Sequence, residues 1–210
     1  MDGDNFYVIT KNHLKAFESV GSEMELINNQ QIFGTNLETI FYHNDHLFLG
    51  AASSMSIYDV STPSQPRRTD VFSHATSCDP VYPKGNYAYV TLRTGDERNC
   101  PGDENALVTV DVTDYNNIFE TSEFTMESPY GLTSHEDLLY VGEGANGLKI
   151  FDISNPAAPS LVKSDFGIEA YDIILNPNNS GQILIAGPNG LGQYAVDADL
   201  DFQLQSTITY

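Results

Sequence analysis

The sequence has no tryptophan, two cysteines, few basic residues and no long apolar run. Its apolar stretches fall well short of the ~18 residues that mark a membrane-spanning helix, so we predict no transmembrane segment. Only 9 Lys and Arg residues stand against 29 Asp and Glu residues, and the net charge is −20. A field of this sign repels nucleic acid and anionic membranes, so we expect no nucleic-acid partner and favour cationic or basic ones.

The two cysteines, Cys78 and Cys100, indicate the compartment. Cys100 lies in the polar stretch TGDERNCPGDENA, where an exposed thiol would be a liability. A Cys78–Cys100 disulfide would close a loop of roughly twenty residues and stabilise the fold by about 3 kcal/mol. No His or Cys lies near them at zinc-ligand spacing. We therefore predict a disulfide and an oxidising compartment, which is the cell surface, the periplasm or the extracellular space.

The first ten residues, MDGDNFYVIT, lack both the basic and the apolar part of a signal peptide. Either the protein is cytosolic or a signal or lipoprotein segment lies outside this sequence, and the cysteines favour the second alternative. What the chain does have is 16 glycines, 10 prolines, 12 tyrosines and 11 phenylalanines, with the glycines and prolines mostly between short apolar runs. This composition is typical of a β-rich protein with many turns.

One glycine-rich stretch, GEGANG (142–147), has the spacing of a dinucleotide-binding turn. That motif needs its last glycine to open a helix whose N–H groups face a phosphate. Here the following residues, LKIFDIS, alternate between apolar and polar and are partly β-branched. We therefore interpret GEGANG as the turn of a β-hairpin and expect no nucleotide cofactor.

The hairpin recurs along the whole chain. Its second strand begins at Leu14, Met55, Leu107, Leu148 and Leu191, which gives steps of 41, 52, 41 and 43 residues. A period of 40 to 50 residues that yields paired strands is typical of propeller blades. The long step reflects an insertion from Arg93 to Ala106 that contains Cys100.

Each copy also holds a third run and a fourth run. The fourth runs are ETIFYHN, DPVYPKGN, YGLTSHED and YDIILNPN. We predict an all-β fold of one domain, a β-propeller of five blades with four antiparallel strands each, in preference to six to eight blades. Nothing before Phe6 supplies an innermost strand for the first blade. The predicted repeats are 1–37, 38–78, 79–129, 130–170 and 171–210.

The stretch LKIFDISNPAAPSLV, with MSIYDVSTPSQP and LVTVDVTD as sister copies, resembles the LVIVD repeat. That repeat occurs in β-propeller proteins, many of them bacterial surface or secreted lipoproteins. The resemblance covers nearly the whole chain and is strongest from Glu38 to Phe166. It weakens at the ends, where Glu18 has no proline after it and Ala195 replaces an aspartate. It implies a propeller fold and a surface location, and it transfers no catalytic motif.

The starts of the innermost strands would meet at one mouth of a propeller channel. The residues predicted there are Glu38, Asp79, Tyr130, Tyr171 and Asp172. Clustered carboxylates raise one another's pKa or recruit a cation, so this mouth is a candidate site for a metal ion or a polar cationic ligand. Alternatively, these side chains cap backbone N–H groups at the strand ends.

We assign the hairpin turns and the insertion to the opposite face, where loops on a rigid scaffold bind partners. The stretch DADLD (197–201) begins like a calcium loop but lacks the rest of that motif, so we interpret it as a solvated turn.

These features favour a monomeric, non-enzymatic binding module at the cell surface, with a protein or glycan ligand and without catalytic residues or a cofactor. One alternative is a hydrolase or lyase that uses Glu38, Asp79 and Asp172 at the mouth as acid, base or metal ligands. Another is a structural scaffold in a larger surface assembly. Fold analogy alone supports the enzyme.

Overall fold

The structure, a computed structural model, describes residues 3–32, 36–73, 80–94, 104–176 and 181–209. These residues form nineteen β-strands and no helix, so the all-β prediction is confirmed for the described part of the chain. Since no helix is present in these ranges, none of them contains a helix that could span a membrane.

The first sheet has three antiparallel strands in the order β1-β2-β3. They are β1 (Asn5–Thr10), β2 (His13–Val20) and β3 (Glu23–Gln31). Within the described residues, the first copy therefore has one strand fewer than the others, as predicted.

The other four sheets each have four strands that follow chain order. The second contains β4 (Leu37–His43), β5 (His46–Ala51), β6 (Ser54–Asp59) and β7 (Arg67–Ser73). The third contains β8 (Val81–Lys84), β9 (Tyr87–Leu92), β10 (Ala106–Asp111) and β11 (Phe119–Thr125). The fourth contains β12 (Leu132–His135), β13 (Leu138–Gly142), β14 (Leu148–Asp152) and β15 (Ser160–Asp165). The fifth contains β16 (Asp172–Leu175), β17 (Gln182–Gly187), β18 (Gly190–Val196) and β19 (Phe202–Thr209).

Five antiparallel sheets of three or four strands make this fold a five-bladed β-propeller, as the repeat predicts. The predicted fourth runs correspond to β4, β8, β12 and β16, which begin the four-stranded sheets. Each strand of a four-stranded blade therefore has a counterpart in the sequence repeat.

The chain divides into two compact units. The first comprises Met1–Val90, Thr94–Glu104 and Val110–Glu120, and the second comprises Thr91–Arg93, Asn105–Thr109 and Thr121–Tyr210. That the whole chain forms one domain stays a prediction.

Each unit has its own apolar core, because alternate residues of each strand face inward. In the first unit a buried cluster includes Leu14, Leu47, Leu49 and Tyr58. In the second unit Tyr140, Leu148, Ile150, Ile183 and Ile185 form another. Leu14 and Leu148 occupy equivalent positions of their repeats, as do Leu47 and Ile183, and Leu49 and Ile185. The apolar positions of the repeat therefore build the core.

The third strand of three blades (β6, β10 and β14) ends in the same small turn. The Oδ1 atoms of Asp59, Asp111 and Asp152 each accept the backbone N–H two residues later, at 2.9, 2.8 and 2.7 Å. Such a turn lets the chain leave the strand with its backbone groups satisfied. The D-x-[ST] pattern of the repeat is therefore a structural signal.

Because of these turns, we expect the free energy of unfolding to depend on pH. The side-chain and backbone hydrogen bonds from Ser61 hold the pKa of Asp59 below its usual 3.8, and those from Ser154, the backbone bond first, lower the pKa of Asp152. A lowered folded-state pKa contributes stability above the unfolded value that is lost as pH falls through the folded one. We expect the free energy of unfolding to decrease below pH 3.8, and to decrease less steeply in Asp59→Ala/Asp152→Ala.

Urea unfolding at several pH values between 6 and 2.5 measures this slope. The matched Asp59→Asn/Asp152→Asn protein keeps an acceptor oxygen but does not titrate. It should retain more stability than the alanine variant at pH 7 and show the same shallower slope. A slope as steep as the parent's in both variants would contradict the assignment.

Three sequence predictions fall on residues that the structure does not describe. Cys78, Cys100 and Asp79 lie outside the described ranges, as do residues 95–103 of the insertion. The disulfide and the role of Asp79 therefore stay predictions.

Candidate functional site

The glycine-rich stretch 142–147 forms the turn between β13 and β14. Glu143 N–H donates to the Gly147 carbonyl at 2.8 Å, and Gly147 N–H donates to the Gly144 carbonyl at 3.2 Å. Gly144 and Gly147 have φ values of 56° and 99°, which favour glycine. The strand β14 follows directly, so the interpretation as a hairpin turn is confirmed and no helix follows Gly147.

This turn lies at the same end of its sheet as the start of β12. Because β12, β13 and β14 are antiparallel, the start of β12 and the end of β13 lie at the same end of the sheet. Tyr130 N–H donates to the Gly142 carbonyl at 2.8 Å, which fixes this proximity. Our placement of the predicted mouth residues and the hairpin turns on opposite faces is therefore wrong for this sheet.

An aromatic pair forms at this end of the second unit. The rings of Tyr130 and Tyr171 meet edge to face, with centroids 4.9 Å apart and an interplanar angle of 88°. The guanidinium carbon of Arg93 lies 4.2 Å from the centre of the Tyr130 ring, which is a cation–π contact. The insertion thus begins on top of a predicted mouth residue. We call Arg93, Tyr130 and Tyr171 the aromatic cluster.

Gly144 makes the aromatic cluster possible. A Cβ at this position would lie 2.7 Å from Cε2 of Tyr130 and 3.1 Å from Cε1 of Tyr171. Both rings therefore pack against bare backbone. The Gly144 N–H donates to the Ala170 carbonyl at 2.8 Å, and the Ala170 N–H donates to the Gly144 carbonyl at 3.1 Å. These hydrogen bonds join the turn to the segment before β16.

Asp172 lies beside this cluster. Its Oδ1 accepts the N–H of Ile173 at 2.9 Å, and a Cβ on Gly131 would come within 2.0 Å of the same oxygen. Desolvation by burial raises the pKa of this carboxyl, and the hydrogen bond from the Ile173 N–H partly opposes that rise. Asp172 thus serves as a cap on its own strand, which was the alternative reading of the mouth residues.

The structure brings together three of the five predicted mouth residues. Tyr130, Tyr171 and Asp172 lie at one end of the second unit. Glu38 is an exposed residue of β4 in the first unit, and Asp79 lies outside the described residues. The mouth as a five-residue ligand site stays a prediction.

A buried ion pair supports the turn. The Glu143 carboxylate pairs with the Lys149 ammonium group, and their side chains are 1% and 13% exposed. The other carboxylate oxygen accepts the N–H of Glu127 at 2.8 Å. Glu143 therefore connects the turn to β14 and to the segment that leads into Tyr130. Sequence reasoning missed this role, although an acidic residue between two turn glycines was a visible signal.

A pocket of about 320 Å³ opens beside the corresponding turn of the fifth sheet. Its walls come from the segment 167–169, from the turn glycines 187 and 190, and from Ile185, Tyr194 and Thr207. The segment 167–172 connects this pocket to the aromatic cluster, because its later residues, Ala170 and Tyr171, contact Gly144. Sequence reasoning did not predict a pocket there.

The described residues contain no group of three or more His, Cys, Asp or Glu side chains that could hold a metal ion. In the DADLD stretch, the Oδ1 of Asp197 accepts the N–H groups of Asp199 and Asp201 at 3.0 and 2.9 Å. That arrangement is a turn closed by its own first residue, as the sequence indicated.

Comparison with known proteins gives a family for part of the chain and a fold for all of it. The sequence model of the LVIVD repeat matches residues 133–164, which run from β12 to β15. A search among curated proteins finds no match.

Three solved structures illustrate the similarity in fold. A protein from Lactobacillus plantarum is 15% identical with a TM-score of 0.77, over 100% of this chain and 69% of that chain. Apo AztD from Citrobacter koseri is 13% identical with a TM-score of 0.65, over 96% and 58% of the two chains. A putative 6-phosphogluconolactonase from Bacteroides uniformis is 14% identical with a TM-score of 0.59, over 99% and 83%. At such identities the similarity shows the fold alone, and the protein is a five-bladed β-propeller that carries an LVIVD repeat.

Proposed function

We propose that this propeller is a non-enzymatic binding module of the cell surface, and that its protein or glycan ligand lies along the segment 167–172. The observation that carries the proposal is the continuity of a pocket and an aromatic cluster at the turn end of the second unit. A ligand that reaches both would be held at two points by one segment of the chain.

The chemistry of this surface suits contact with a partner. Pockets of about 300 Å³ are at the small end of ligand sites and hold a side chain or a single sugar ring. The lining combines apolar groups such as Ile185 and Tyr194 with the polar side chains of Glu169, Asn189 and Thr207. Aromatic rings and an arginine supply much of the binding energy at recognition surfaces. In the aromatic cluster the rings and the guanidinium are already held against each other.

The location is part of the proposal. The resemblance to surface propellers and the excess of carboxylates favour a secreted, periplasmic or lipid-anchored protein. A Cys78–Cys100 disulfide would suit such a compartment.

Blocking the pocket tests the proposal. Thr207 lines it and lies directly opposite Gly192 on the neighbouring strand, so Thr207→Phe would place a ring over the glycine and fill the space. Arrayed oligosaccharides and arrayed twelve-residue peptides serve as probes for the purified protein. We expect the parent to bind members of one array and Thr207→Phe to bind them at least about tenfold more weakly, a cost of about 1.4 kcal/mol.

The matched control is Thr207→Val, which keeps the shape of the side chain and leaves the pocket open. It should bind like the parent, and both variants should melt near the parent's temperature because residue 207 is exposed. Binding to neither array, or equal binding by Thr207→Phe, would overturn the proposed site.

A further inference from the structure

The last strand of the fifth sheet differs from the other strands at the same position. The strands β3, β7, β11, β15 and β19 each lie at the end of their sheet. Four of them carry charged side chains, whereas β19 reads FQLQSTIT and carries none. In a chain of net charge −20, an uncharged edge strand of eight residues is a local exception.

Edge strands expose unpaired backbone groups and therefore recruit other strands. Natural proteins suppress this with charges, prolines or bulges at the edge. The outer strands β3, β7, β15 and β19 each carry a bulge in their pairing with the neighbouring strand. The first three also carry charged side chains, for example Lys163 and Asp165 in β15, and β19 lacks this second protection. Among the described residues nothing pairs with β19 beyond β18, and its residues from Gln203 onward are exposed.

The composition of β19 also favours pairing. Threonine and isoleucine near its end are β-branched residues with high strand propensity. Leu204 and Ile208 are 55% and 69% exposed, so apolar side chains accompany the free backbone. An added strand would gain main-chain hydrogen bonds together with apolar contact on both faces, at Leu204 on one and at Ile208 on the other.

Carboxylates lie at both ends of this edge. Asp197, Asp199 and Asp201 precede β19, and only Asp201 among them pairs with Lys163 through its carboxylate in the described structure. At the other end, Glu169 lines the same pocket as Thr207 and Thr209. A segment that is uncharged in the middle and basic at its ends would match this arrangement. A second copy of the chain would bring another charge of −20 to the contact.

We propose that the free edge of β19 binds an extended segment of a partner protein, uncharged over about six residues and basic at both ends, as a fifth strand of its sheet. This surface shares no residue with the aromatic cluster, but Thr207, Ile208 and Thr209 at the end of β19 also line the pocket. The inference does not require the ligand proposed for the pocket. Main-chain pairing provides the affinity, and the flanking carboxylates favour basic over acidic segments.

A peptide library tests the inference. Bead-bound decapeptides carry two lysines at each end and six central residues drawn from threonine, valine, isoleucine, serine and glutamine. A second library has glutamates at the ends. We expect the labelled parent to select lysine-ended peptides, and these to bind at least about tenfold more tightly than their glutamate-ended versions in fluorescence anisotropy.

Two variants of equal charge separate strand pairing from general attraction. Leu204→Lys/Gln205→Lys adds two positive charges to β19 and replaces no residue that lines the pocket. Leu161→Lys/Val162→Lys adds two to the exposed part of β15. The β19 variant should lose about tenfold or more in affinity, and the β15 variant should stay within about twofold of the parent.

Hydrogen exchange on the unaltered protein gives a second readout, in which the bound peptide should protect the backbone amides of β19. Selection of no peptide, equal loss in the two variants, or no protection of β19 would overturn the proposal. Parent dimers in sedimentation velocity that Leu204→Lys/Gln205→Lys dissociates would also overturn it, because the edge would then bind a second copy.

Discussion

Replacing Gly147 with alanine is expected to lower the free energy of unfolding by about 3 kcal/mol, because the new methyl group meets backbone atoms that cannot rotate away. An alanine Cβ would lie 2.1 Å from the carbonyl oxygen of Asp165 and 3.0 Å from the Cα of Phe166. The residue also has a φ of 99°, which L-residues rarely adopt. Urea unfolding of the parent and the variant measures the difference.

Gly85→Ala is the matched control. Gly85 has a positive φ of 59° in another hairpin turn, and a Cβ there would have no heavy atom within 4 Å. It should cost only the conformational penalty, about 1 kcal/mol. If Gly85→Ala and Gly147→Ala cost the same, the close approach of the outer strand would have no role in stability.

Gly190 shows the same approach in a second copy of the repeat. It opens β18 as Gly147 precedes β14, it has a φ of 134°, and a Cβ there would lie 2.0 Å from the carbonyl oxygen of Ile208. In both blades, the glycine that ends the hairpin turn lies against the backbone of the outermost strand. The glycine spacing that imitates a nucleotide-binding motif therefore reflects the packing of four strands at the end of a blade.

The fold could be predicted in such detail because the sequence contains five copies of the same strand pattern. A single strand such as LKIFD leaves its pairing open, but five copies at regular spacing fix which runs pair and where the turns fall. Even the anomalous step was informative, since the insertion between β9 and β10 accounts for it.

The candidate site was predictable only in part, because it depends on which ends of the strands meet. Counting along the repeats correctly grouped Tyr130 with Tyr171. The same counting placed the hairpin turns at the wrong end of the sheet. Antiparallel pairing alone requires the start of β12 and the turn after β13 to lie at the same end. The pocket beside Gly187 and Gly190 forms where these glycines have no side chain to fill the space. The spacing of the repeat does not predict such a pocket.

The ion pair between Glu143 and Lys149 gives the second large expected effect. Lys149→Met should lower the free energy of unfolding by about 3 kcal/mol, because it leaves the Glu143 carboxylate buried and without its counter-charge, although the Glu127 N–H still donates to it. Glu143→Gln should cost less. Its amide oxygen still accepts from Glu127, and Lys149, at 13% exposure, has access to water that Glu143, at 1%, does not.

The double variant Glu143→Gln/Lys149→Met decides whether the two charges act as a pair. It should be more stable than Lys149→Met alone, since removing the second charge relieves the buried carboxylate, and the thermodynamic cycle of the four proteins gives the coupling energy. Near-ultraviolet circular dichroism should show the same order, because Glu143 anchors the segment that positions Tyr130 against Tyr171. Costs that simply add would mean that Lys149 stabilises the blade through its aliphatic stem, and the turn would then owe its shape to the glycines alone.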